Sequence, residues 1–246
     1  MGAPHTQVQA VDLEGGGRLL FVSQDPAAVA AVAAETDALF RWLGVSAGFT
    51  LILFWRDDPR HIKADEWPTR HTVNGGFTSQ GSSTITVYRQ EEWDRVLLHE
   101  AIHALGWDWD LSATPEPCWD LGPHSKTHPH LFEAWTELYA EWLWSAWHKT
   151  AWEGQVEWMN YQARQVLARS PSVWHEDTNI FAYYVLKAAL APHIGFLWGF
   201  RVGETPEERI HVLCGLAAPQ LAALRAAALR TRPEALSMRM TRPSHH

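Results

Sequence analysis

Residues 95–110 read RVLLHEAIHALGWDWD, an apolar run interrupted by His99, Glu100 and His103. Positions four apart share one face of an α-helix, so the two imidazoles can be presented to a single point. Neutral imidazole nitrogen is a good ligand for Zn2+, and an acid directly after the first histidine then faces the open coordination position. Glu100 is placed to take a proton from water whose pKa the ion has brought toward neutrality. A catalytic zinc ordinarily has three protein ligands and one open position, so a third ligand must come from elsewhere.

HEAIH, lying in a helix that follows the strand-like TITVY, resembles the active-site helix of the zincin metallopeptidases. The resemblance implies an α+β fold: a small mixed N-terminal sheet carrying the active-site helix, then a mainly helical C-terminal part. TITVY would take the place of the substrate-lining edge strand. One zincin branch, the metzincins, uses HExxHxxGxxH. The chain matches this through Gly106, then places Trp109, which cannot ligate zinc, where the last histidine belongs; Asp108 and Asp110 are out of register, and Met238 lacks the Met-turn pattern. The gluzincin branch takes its third ligand from a glutamate on a later helix, often with a second acid four residues on. EAWTELYAE, residues 133–141, fits that description. By this resemblance Glu133 is the third ligand and Glu137 hydrogen-bonds a ligating histidine, fixing its orientation. A solvated stripe of Glu133, Glu137 and Glu141 is the alternative. Against it stand Leu131, Phe132, Trp135, Leu138, Tyr139 and Trp142, which leave the helix little polar face. Carboxylates in so apolar a setting need a partner, and a cation is a natural one.

Zincin chemistry also needs a donor for the oxyanion, commonly a Tyr or His from outside the metal motif. Tyr183 and Tyr184 in TNIFAYYVLKAAL are the candidates, with core packing as the alternative; His193 and His211 are less specific. His124, His128 and His130 in PHSKTHPH read as surface loop residues. HTVNGGFTS, ITVYRQEEWDRVLLHEAIH and TNIFAYYVLK also resemble segments of uncharacterised metallopeptidases of large DNA viruses, which would make Asn74, Gly75 and Gly76 a cleft-wall turn. The expected activity is peptide-bond hydrolysis with Zn2+ as cofactor and a peptide or protein as substrate. The rival is a non-catalytic helical interaction protein whose metal site only braces the fold.

The surrounding elements follow from local patterns. RLLFV (18–22), FTLILFW (49–55) and TITVY (84–88) read as strands; Asp25-Pro26 opens an alanine-rich helix to about Leu43. Residues 57–83 carry Pro59, Pro68, Gly75, Gly76 and Gly81 and read as a long connection. The motif helix runs from near Gln90 to Gly106, another from Pro129 to about His148, and the rest to Arg230 is helical with breaks at Ser170-Pro171, Pro192 and Gly215. The expected organisation is one zincin-like domain over 1–246, with sheet and active-site helix in 1–110 and helices in 111–246.

Composition narrows the partners. With 20 Lys+Arg against 28 Asp+Glu, a formal charge of -8 and no basic block, nucleic acid is not an expected partner. The N-terminus lacks a signal-peptide pattern and no uninterrupted apolar run reaches membrane length, which predicts a soluble cytoplasmic protein. Cys118 and Cys214 are far apart and form no CxxC, a spacing that suits unpaired thiols better than a disulfide framework, although a single bridge between them stays open.

Overall fold

The computed structural model describes residues 6–45, 48–108, 130–170, 174, 176–198 and 206–242. Its strands are β1 (Gln7–Asp12), β2 (Arg18–Ser23), β3 (Thr50–Trp55), β4 (His61–Ile62), β5 (Gly76–Phe77), β6 (Thr84–Val87) and β7 (Leu236–Ser237). Its helices are α1 (Val29–Trp42), the single turn α2 (Arg70–Val73), α3 (Trp93–Ala104), α4 (Leu131–His148), α5 (Trp152–Ala168), α6 (Lys187–Leu190), α7 (Ile194–Trp198) and α8 (Pro206–Ala228). A π-helix spans Phe181–Leu186. The class is α+β. Two compact units divide the chain: residues 1–59 with 75–107, and residues 60–74 with 108–246. Residues 60–74, which read as a connection beside the strands, thus belong with the helices.

In the first unit the strand order is β1-β2-β3-β6-β5. β2, β3 and β6 run parallel; β1 and β5 are antiparallel to their neighbours. Parallel pairing needs a crossover, and α1 supplies it between β2 and β3. Register aligns Leu19 with Leu51 and Ile85, and Phe21 with Leu53 and Val87. These six side chains are buried, so the alternation visible in the sequence becomes two apolar rows across one face. β1 went unread because its residues are exposed or half-exposed on both faces and leave no apolar period. Asp25 accepts the Ala27 amide at 3.0 Å, opening a 3-10 turn before α1 as its Asp-Pro signal predicts. α3 begins at Trp93 rather than Gln90 because Glu92 adopts a left-handed backbone, φ 54°. It ends before Gly106, whose φ of 63° suits glycine.

The second unit is built around Leu131, Trp135 and Leu138 of α4, Met159 and Val166 of α5, the π-helix, and Leu213, Leu221 and Leu224 of α8. The C-terminal segment is strapped across α5. Gln162 Nε2 donates to the carbonyls of Ser237 and Arg239, and Trp158 Nε1 to that of Arg239. β7 pairs with β4. Pro192 interrupts helix as expected, within a 3-10 turn over Ala191–His193. Gly215 does not: α8 runs through it, burying Ile210, Leu213, Ala217, Leu221, Leu224 and Ala228 in one stripe. A single interior glycine costs roughly 0.5–1 kcal/mol relative to alanine, less than such a stripe supplies.

Two expectations change here. Ile210–Ala228 does reach membrane-crossing length and hydropathy by composition, because small residues and alanines fill the positions between its buried leucines. Cys214, half-buried on α8, is disulfide-bonded, and no described cysteine is free.

At the entrance to the π-helix, Glu176 accepts Trp174 Nε1 at 3.1 Å and the Phe181 amide at 3.0 Å. Burial pushes its carboxyl up to about 7, outweighing these hydrogen bonds, which pull it down. The folded state therefore holds this proton more tightly than an unfolded chain, with its ordinary value of 4.5. Its contribution to stability is full below pH 4.5 and is lost as pH rises toward 7, by at most about 3 kcal/mol. Glu176→Gln is expected to flatten that part of the stability profile in urea unfolding between pH 4.5 and 7.5; an unchanged slope would refute the assignment.

Candidate metal centre

Within the first unit, α3 packs against β5 and β6. The approach is close at Gly76: an added Cβ would lie 2.7 Å from Val96 Cγ1, 2.8 Å from the Thr86 carbonyl oxygen and 3.1 Å from Glu100 Cγ. Gly76 is thus required by contact with the helix, more than by the turn that its Asn-Gly-Gly setting suggests. Gly75 completes the junction, its carbonyl accepting the Tyr88 amide at 2.8 Å. Gly76→Ala is expected to destabilise the protein by about 1–3 kcal/mol through overpacking. Denaturant unfolding would measure it, and a cost below the error of the method would show that the strand simply yields.

One helical turn separates His99 from His103, and their Nε2 atoms lie 3.0 Å apart. The rings meet edge to face, centroids 4.7 Å apart and planes at 77°. Zinc–nitrogen bonds of about 2.05 Å at a tetrahedral angle require nitrogens about 3.3 Å apart, so this pair needs to open only slightly to share an ion. With one ring nitrogen protonated, the same approach serves as an N–H···N hydrogen bond. His99 and Glu100 are buried and His103 half-buried. Two converging imidazole nitrogens are donors of the kind zinc takes, with the Glu100 carboxylate buried beside them.

The strand expected to line the substrate is not the edge. β6 lies between β3 and β5, and β5 closes the sheet. Two residues long, β5 is too short to announce itself by periodicity. Phe77 on it is 59% exposed. Tyr88, at the end of the TITVY run, is a neighbour that motif reading overlooked. Burial, and after it the Glu100 charge, raises its phenol above the ordinary value, keeping it a proton donor at neutral pH.

Within the second unit, Glu133 is half-buried in the first turn of α4, while Glu137 and Glu141 further along are buried. A solvated stripe does not describe Glu137 and Glu141. Glu141 has its cation from the chain itself: Lys187 Nζ lies 2.7 Å from its Oε2, both side chains fully buried. Trp135, Tyr139 and Trp142 stack along another face of α4, with interplanar angles of 11° and 7°. Tyr184 is placed as its core-packing alternative describes. It is fully buried and its hydroxyl donates to the Met238 carbonyl at 2.8 Å, so packing accounts for it. Tyr183 is half-buried, its hydroxyl 3.5 Å from Asn179 Nδ2. His130 and His211 are exposed and His193 half-buried. Trp109, Asp110, Cys118, His124 and His128 lie outside the described residues.

No family model, curated protein or solved structure matches this chain. Asn74, proposed beside the glycines as cleft wall, accepts Thr178 Oγ1 at 2.7 Å and belongs to the second unit's own packing.

Proposed function

We propose that this protein is a zinc-dependent metallopeptidase of the gluzincin kind, with His99, His103 and Glu133 as metal ligands and Glu137 orienting one of them. The observation that carries this reading is the convergence of the His99 and His103 Nε2 atoms at 3.0 Å, with Glu100 buried beside them. When bound, zinc supplies Lewis acidity, polarising a peptide carbonyl and lowering the pKa of water. Glu100 takes the proton of the attacking water and returns it to the leaving nitrogen. An extended peptide has backbone partners in the outer edge of β5, the last strand of its sheet. For the oxyanion donor, Tyr183 and Tyr88 stand ahead of Tyr184, whose proton is engaged in the core.

Metal analysis of the purified chain tests the site. About one zinc per chain is expected, as three-ligand sites imply, with loss in His103→Ala. Glu133→Gln should release zinc, whereas Glu137→Gln should weaken it by about 10–100-fold. Protein purified without chelator that holds no metal would overturn the proposal. Zinc retained in Glu133→Gln would overturn the assignment of that ligand alone.

A further inference from the structure

We infer that a groove in the helical unit, where α5 and α8 end, binds a long-chain monocarboxylate, with the chain against Trp174 and Leu229 and the carboxylate on Arg225. α5 packs against α8. At the C-terminal ends of the two helices lies a groove of about 890 Å³, lined by Leu167, Trp174, Phe181, Ala226 and Leu229, with Arg225 the one charged residue in its lining. Sites that bury most of a small ligand span about 300–1,000 Å³. Every lining residue belongs to the second unit. Trp174 and Phe181 meet edge to face, centroids 5.3 Å apart and planes at 87°. Trp174 Nε1 and the Phe181 amide both donate to Glu176, which anchors this aromatic surface. Beside it the helices contribute only the methyl groups of Ala168, Ala226 and Ala228, which leaves room for an occupant. Leu229, just after α8, is 89% exposed, the highest value for a large apolar side chain among the described residues. An apolar side chain standing in water beside an apolar groove suits an apolar occupant.

Charge sets the head group. Arg225 lines the groove and exposed Arg230 and Arg232 follow just after α8, in a chain whose net charge is -8. The acids near this end are held by the fold: Glu234 accepts Tyr161 Oη at 2.6 Å, and Glu176 accepts the two bonds named above. A guanidinium fork meets a carboxylate through two parallel hydrogen bonds, so a single arginine suffices for that group. A phosphate monoester, with nearly two charges, ordinarily meets a cluster of arginines. A carboxylate on an apolar chain therefore matches both features of the groove.

The inference is independent of the metal site, and titration calorimetry of the full chain with decanoate, below its micellisation concentration, decides it. Saturable binding at one molecule per chain is expected, with octanoate about tenfold weaker for its two missing methylenes. Decyltrimethylammonium, a cationic head on the same tail, should also bind about tenfold or more weakly than decanoate. Arg225→Gln should weaken decanoate by about 10–100-fold and remove the preference between head groups. Ala226→Trp, which fills the groove, should abolish binding. Both positions are exposed, so each variant should melt near wild type. Equal affinity for the two head groups, or decanoate binding that survives both substitutions, would overturn the site. Binding lost in His103→Ala and kept in Arg225→Gln would overturn it by putting the carboxylate on the metal. No binding of decanoate, or binding to phosphatidylcholine vesicles alone, would overturn it as well. The head-group comparison needs only wild type and stands whichever variant folds.

Discussion

Glu100→Gln is expected to abolish peptide hydrolysis while leaving about one zinc bound per chain. Glutamine keeps the shape of the side chain beside Gly76 but cannot accept the proton of water, and loss of a general base typically costs about 10²–10⁴-fold in rate. The helix and the two imidazoles are untouched by the change, so metal content separates a catalytic defect from a folding defect. Turnover of a broad peptide library, with zinc measured on the same preparation, is the check. Activity surviving in Glu100→Gln would remove the residue from the mechanism. Zinc-loaded wild type that cleaves nothing in the panel would favour the non-catalytic interaction protein instead.

Lys187→Met should destabilise the second unit by about 3–5 kcal/mol, the usual cost of stranding one charge of a buried pair. Lys187 Nζ has Glu141 Oε2 at 2.7 Å, Met240 Sδ at 3.5 Å and the Tyr184 ring centroid at 5.9 Å, in a setting without solvent. Methionine matches the length of lysine but leaves the carboxylate uncompensated. Glu141→Leu combined with Lys187→Met should recover much of the loss, since apolar replacement of an entire buried pair is often neutral or favourable. Chemical denaturation of both single variants and the double variant forms the test cycle. A double variant no better than the singles would mean that the two residues contribute separately. The pair also bears on the reading of α4, because one acid of the Glu133–Glu137–Glu141 series has a lysine of the chain itself as its cation.

The second unit shows where sequence signals were ambiguous. Glu137 and Glu141 occupy one helical face with Glu133, a spacing open to a metal-supporting series and to a solvated stripe, with the apolar neighbours standing against the stripe. Burial of Glu137 and Glu141 removes the stripe, and the partner of Glu141 is Lys187, 46 residues further along. Tyr183 and Tyr184 are adjacent and chemically alike, yet one has its hydroxyl engaged by a carbonyl from the C-terminal segment and the other faces Asn179. Cys214 could be either a thiol or half of a bridge until the fold decided.

The sequence by itself determined the local features: the central strands β2, β3 and β6, the helix carrying HEAIH, the cap at Asp25, and the stop at Gly106. Each depends on forces acting within a turn or two of chain, namely side-chain periodicity, capping and the freedom of glycine. The i, i+4 convergence of two imidazoles belongs to the same group, because helix geometry alone imposes it. Tertiary structure alone decided the sheet order, the edge position of β5, the contact that makes Gly76 necessary, the partner of Glu141 and the burial of Glu176. Those outcomes depend on which distant segments pack together, and pairing energies between strands or between buried charges leave no periodic trace in either partner.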